Sequence, residues 1–133
     1  MEAPNGDAGR AHQLANAAAR GDLETAARLL DGGADPNAVN DFGRTPIQVM
    51  MMGNTKMAEL LLQRGAGPNR PDPSTGAVAA HDAAREGFLD TLKLLYHWGA
   101  HFDHLDKWGQ SPLDLARKNG QNHVVDYLQE LSG

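Results

Sequence analysis

A glycine returns along this chain at Gly21, Gly53, Gly87 and Gly120, with spacings of 32, 34 and 33 residues. Each follows a short segment suited to a helix, such as AAHDAARE ahead of Gly87. Such a period implies a repeat protein, whose units bury their apolar faces only by stacking on one another.

The register extends beyond the glycines. Eight positions after each stands a leucine, Leu29, Leu61, Leu95 and Leu128, and three positions before it Ala26, Ala58, Leu92 and Val125. Residues spaced i, i+3 share one helix face, so each glycine is followed by a second helix with an apolar stripe. In the first unit Leu23 and Leu30 are expected on that inward face as well. Twelve positions after the glycine comes Gly33-Ala34, Gly65-Ala66 or Gly99-Ala100, while the fourth unit runs out at Ser132-Gly133. Glycine there ends the helix. Ahead of the first helices, DFGRTPI at 41–47 matches DKWGQSPL at 106–113. Proline fits a first helical turn, and Thr45 or Ser111 before it is a candidate cap.

Composition narrows the partners. Three Phe, two Trp and two Tyr in 133 residues do not supply a thick core, and alanine with leucine suits thin layers of helices. A net charge of −5 argues against nucleic acid or an anionic membrane and is compatible with a basic protein surface. With no cysteine there is no disulfide, thiol nucleophile or cysteine-ligated zinc. No apolar run approaches the roughly 18 residues of a membrane helix, and MEAPNGDAGR lacks the pattern of a secretory signal. The chain reads as soluble and intracellular, in cytoplasm and nucleus. Residues 1–10 read as a flexible tail and 11–133 as a single domain, with repeats at about 11–40, 41–71, 72–105 and 106–131.

These units, with TPI and SPL, HDAA, and GlyAla followed by AspProAsn, resemble the ankyrin repeat. The resemblance implies a mainly α solenoid of four helix-turn-helix repeats joined by hairpin-like loops with a concave face. The second repeat departs from the others. Proline to central glycine is seven residues from Pro46 to Gly53 but eight from Pro112 to Gly120, so the first helix of that repeat is expected to be short or distorted. The following connection, GPNRPDPSTGAV, carries three prolines and reads as an extended loop. Met50, Met51 and Met52 are expected to fill the irregular gap, although methionines also suit an adaptable binding surface. Asp82 stands where the fourth unit has Leu115, beside Ala83 and Ala84. It is expected either to face solvent as a partner contact or to form a structural hydrogen bond, because a buried unpaired carboxylate is costly.

GRTPIQVMMMG at 43–53, AELLLQRGAGPN, VAAHDAAREGFLDTLKLL and DKWGQSPLDLA closely resemble the four-repeat ankyrin inhibitors of the cyclin-D-dependent kinases 4 and 6. The resemblance implies an inhibitor that grips both kinase lobes away from the cyclin and holds them twisted. Cyclin D binding and ATP alignment are then opposed, and entry into S phase from G1 is restrained. It further implies partner contacts at Asp82, Asp72, Arg85, Glu24, Phe88 and Asp90, with Asp82 foremost and a kinase arginine as its mate. The chain is expected to be a monomer with cyclin-dependent kinases 4 and 6 as partners. The competing reading is an ankyrin interaction module for some other protein.

Catalytic and cofactor readings are weak. Adjacent His81 and Asp82 diverge by about 100° on a helix, and no serine on a strand-to-helix elbow accompanies them. By resemblance, His81 bonds loop backbone between repeats. His97, His101 and His104 lose metal-site spacing because Gly99 breaks the helix between them. Residues 65–67 lack the third glycine and lysine of a phosphate loop. Phe42 and Trp108, at matching loop positions, are expected to cover the loop base. No cofactor, metal or enzymatic activity is expected.

Overall fold

A computed structural model describes residues 6–132. Among these residues there are eight helices and no strand, and no helix is long and apolar enough to cross a membrane. The chain divides into two compact units, Met1–Gly67 and Pro68–Gly133.

The first unit contains α1 (Gly6–Arg20), α2 (Leu23–Asp31), α3 (Pro46–Val49) and α4 (Thr55–Gln63). Helix α1 packs on α2 and α3, and α4 on α2 and α3. The second unit repeats the plan with α5 (Ala79–Glu86), α6 (Leu89–His97), α7 (Pro112–Lys118) and α8 (Asn122–Ser132). There α5 packs on α6 and α7, and α8 on α6 and α7. These are the four helix-turn-helix repeats that the glycine period predicts.

Small side chains make the close packing possible. Ala17, Ala18, Ala83, Ala84 and Ala116 are fully buried, and so are Leu14, Leu61, Leu92 and Leu95. In the first repeat Leu30 is buried more deeply than Leu29, and in the last Val124 takes the place expected of Val125. At the end of each second helix in the first three repeats, Ala34, Ala66 and Ala100 donate their N–H to the carbonyls of Leu29, Leu61 and Leu95, at 2.9–3.0 Å. Carbonyls that the helix end would orphan are thereby satisfied.

Helix α3 has only four residues, the shortening that the Pro46–Gly53 count predicts. Two of the three methionines fill the space as expected: Met50 and Met52 are each 4% exposed. Met51 does not, for its side chain is 63% exposed. Gly21, Gly87 and Gly120 turn through left-handed backbone at φ of 70–85°, whereas Gly53 does not. With α3 already ended at Met50, the chain reaches α4 through a turn that needs no left-handed residue there.

The start of the chain differs from expectation. Residues 6–10, assigned to the flexible tail of 1–10, belong to α1, and residues 1–5 lie outside the described residues. Residues 6–10 hold two glycines and one alanine but no proline or β-branched residue, and burial of Ala11 favours the added turn.

Helix starts share a device. At the third helical position Gln48, His81 and Asp114 each accept the N–H of the residue before the helix, Thr45 at 2.6 Å, Val78 at 3.0 Å and Ser111 at 3.0 Å. Ser111 returns the bond, its hydroxyl accepting from Asp114 N–H at 3.1 Å and completing a capping box.

Candidate partner-binding site

The sequence-derived site residues centre on α5 and the loop before it. That loop is closed on itself: Asp72 N–H donates to Ala77 O and Gly76 N–H to Asp72 O, both at 2.7 Å. Asp72 Oδ1 accepts the N–H groups of Ser74 at 2.7 Å and Thr75 at 3.2 Å. The next repeat's loop is tied to it, with Lys107 N–H donating to Thr75 O at 2.9 Å and His104 Nε2 to Gly76 O at 3.0 Å.

His81 anchors the helix to the same loops. Its ring is fully buried, Nδ1 accepts from Val78 N–H, and Nε2 donates to Gln110 O at 2.9 Å. A ring nitrogen that accepts leaves the proton on the other, so both bonds select the Nε2–H tautomer. This is the inter-repeat role expected of His81.

Asp82 follows on α5. It is half-buried, and its Oδ1 lies 2.9 Å from Arg85 Nη2, one turn along. Arg85 also stands 3.7 Å from Glu86. Burial pushes the Asp82 carboxyl up from its ordinary value; Arg85 opposes the shift, and the negative charge of Asp72 adds to it. Arg85 thus stands between Asp82 and Glu86, and Asp72 acts on Asp82 through its charge. Packing and the Arg85 guanidinium hold the Asp82 side chain in place. Asp82 makes a half-buried ion pair inside the chain and keeps part of its carboxylate in solvent.

The remaining residues stand apart from this cluster. Phe88 caps α6 after the Gly87 turn and Asp90 lies in the first turn of α6, so both are beyond the far end of α5; both are exposed. Glu24 is exposed in the first turn of α2, in the other unit.

Sequence reasoning missed a role shared by three loop residues. Asn40, Asp72 and Asp106 each accept two backbone N–H groups of their own loop through one Oδ1. Their signal is position, six or seven residues before Pro46, Ala79 and Pro112. This corrects the reading of Phe42 and Trp108. With the turn closed by Asn40 or Asp106, no aromatic cover is needed, and the two rings are 70% and 64% exposed. The Lys107 ammonium stands 4.8 Å from the Trp108 ring centre.

No three His, Cys, Asp or Glu side chains among the described residues come together as a metal site. His97 packs edge-on against Trp98, and His104 edge-on against His81.

Comparison with known proteins agrees with this architecture. A family profile described as "Ankyrin repeats (3 copies)" matches residues 14–106, more than half of the chain. "Cyclin-dependent kinase 4 inhibitor B" of Rattus norvegicus is 58% identical over 120 residues, covering 90% of this chain and 92% of that protein. Its Homo sapiens counterpart is 56% identical over 90% of this chain and 87% of its own length. "Cyclin-dependent kinase inhibitor 2A" of Homo sapiens is 55% identical over 90% of this chain and 77% of its own length.

Proposed function

This chain belongs to the ankyrin-repeat inhibitors of cyclin-dependent kinases, and on that premise we propose that it binds and inhibits cyclin-dependent kinases 4 and 6. It acts by binding and is not an enzyme. The observation that carries the reading is identity above half along 90% of the chain with proteins named as inhibitors of these kinases. The half-buried Asp82 supports it, because a carboxylate held in place by Arg85 and still partly in solvent suits contact with a cation.

In this proposal Asp82, Asp72 and Arg85 form the centre of the contact, with Phe88 and Asp90 beside them and Glu24 as a further contact from the first unit. Asp82 receives an arginine of the kinase, and its desolvation before binding lowers the cost of burying it in the interface. The inhibitor holds the two kinase lobes twisted, opposing cyclin D and misaligning ATP, and so restrains passage from G1 to S phase. Inhibition is then limited by the difference in affinity for the twisted and active kinase. The inhibitor works as a monomer, through one domain that includes all of α1, in cytoplasm and nucleus.

Isothermal titration into cyclin-free kinase 4 or 6 tests this. One-to-one binding is expected, weakened at least tenfold by Asp82→Asn with the fold intact by circular dichroism. Absence of binding by the folded wild type would overturn the proposal.

A further inference from the structure

Two asparagines in this chain do the same work. Asn37 Nδ2 donates to Gly65 O at 2.9 Å while its Oδ1 accepts Gly67 N–H at 2.7 Å. Asn69 Nδ2 donates to Gly99 O at 3.0 Å while its Oδ1 accepts His101 N–H at 2.8 Å. Each clamps the turn that ends the next repeat's second helix, and each stands three residues after the alanine of a GlyAla pair.

The third residue in this register is Asp103. Its carboxylate is exposed and has no hydrogen bond or ion pair among the described residues. Helix α8 runs to Ser132, eleven residues against nine in α4 and α6. Beside Asp103 lies an open groove of about 570 Å³, whose apolar lining comes from Tyr96, Phe102, Leu113, Leu128 and Leu131. The rings of Tyr96 and Phe102 lie 5.6 Å apart, tilted by 36°. Tyr96 is 51% exposed and Leu131 39%, so the groove presents apolar side chains to solvent.

The change from asparagine to aspartate selects the occupant. An asparagine gives one donor and one acceptor, matching the C=O and N–H of a turn. A carboxylate only accepts, so it would repel that C=O and favour a group with several donors and a positive charge. Aromatic faces attract the same group, and no lysine or arginine lines the groove to compete for it. We propose that this groove is a binding site for an arginine or lysine flanked by apolar residues, presented on an extended segment of a partner protein. The aliphatic stem and neighbouring side chains cover Leu113, Leu128 and Leu131, and the cation lies between the aromatic pair and Asp103. The site is independent of the Asp72–Asp82 cluster and of the kinase reading.

The test is NMR titration of the isotope-labelled full chain with capped Leu-Arg-Leu, using capped Leu-Gln-Leu and Leu-Glu-Leu as controls. Saturable shifts are expected at Tyr96, Phe102, Asp103 and Leu113, with affinity at least tenfold weaker for Leu-Gln-Leu. Asp103→Asn, at an exposed position that leaves the fold intact, and Tyr96→Ala are each expected to weaken Leu-Arg-Leu binding several-fold. Equal shifts with Leu-Glu-Leu would overturn the proposal. So would shifts concentrated at Asp72, Asp82 and Glu86, which would reflect general acidity.

Discussion

Arg85 Nη2 stands 2.9 Å from Asp82 Oδ1, one turn further along α5, yet the pairing does not offset the burial of the carboxylate. The Asp82 carboxyl is held above its ordinary value near 3.8, with desolvation the leading cause. A carboxyl raised in the folded state binds its proton more tightly there than in the unfolded chain. Its penalty on stability is absent at low pH, grows as pH rises from the unfolded value, and is complete above the folded one. Asp82→Asn is therefore expected to melt at or above the wild-type temperature at neutral pH, with the gain vanishing near pH ~3. Arg85→Ala is expected to raise the carboxyl further, read by carbon-detected NMR titration of Asp82.

Asp22 carries the opposite sign. The Thr25 hydroxyl and backbone N–H, the latter 3.1 Å from its Oδ1, hold it below the usual carboxylate range. As the cap of α2, its stabilisation is present above the unfolded pKa and lost as pH falls through the folded one. Asp22→Ala is expected to lower the melting temperature at neutral pH, the difference closing on acidification. A difference independent of pH would mean that the carboxylate is not the stabilising group.

The contrast between these aspartates shows what was legible in the sequence. The four helix pairs followed from the glycine period and the leucines eight residues on, because stacking demands a fixed repeat length. The short α3 followed from one missing residue between Pro46 and Gly53. The second role of Asp72 did not, since its two backbone bonds depend on loop geometry rather than residue type. Phe42 and Trp108 were misread for the same reason: the loop is closed by Asn40 and Asp106. The Asp82–Arg85 spacing was visible in the sequence, but the balance of burial against attraction was not.

Gly87 and Gly120 are both left-handed, at φ of 85° and 70°, yet only one is crowded. A Cβ at Gly120 meets nothing within 4 Å, whereas at Gly87 it would run into the Gln121 side chain, which donates to Arg85 O at 3.0 Å. Gly120→Ala is expected to cost about 1–2 kcal/mol for the backbone alone. Gly87→Ala adds the lost Gln121 bond, for a total of about 2–3 kcal/mol by urea unfolding. Equal costs would show that Gln121 moves aside freely.

The methionines separate in the same assay. Met52→Ala opens a cavity at a site 4% exposed and is expected to cost about 2–4 kcal/mol. Met51→Ala, at a site 63% exposed, is expected to stay within about 0.5 kcal/mol of wild type.

His81 makes the last case, because its two ring bonds require opposite roles of the two nitrogens. Val78 N–H donates to Nδ1 and Gln110 O accepts from Nε2, in a side chain with no solvent exposure. Long-range nitrogen NMR is expected to find Nδ1 bare and Nε2 protonated. His81→Ala strands a backbone donor at the start of α5 and an acceptor in the following loop. Each costs about 1–3 kcal/mol if buried, enough together to remove much of the stability of a small repeat protein. The opposite tautomer would remove the donor to Gln110, and the ring would then fill space without tying the two repeats.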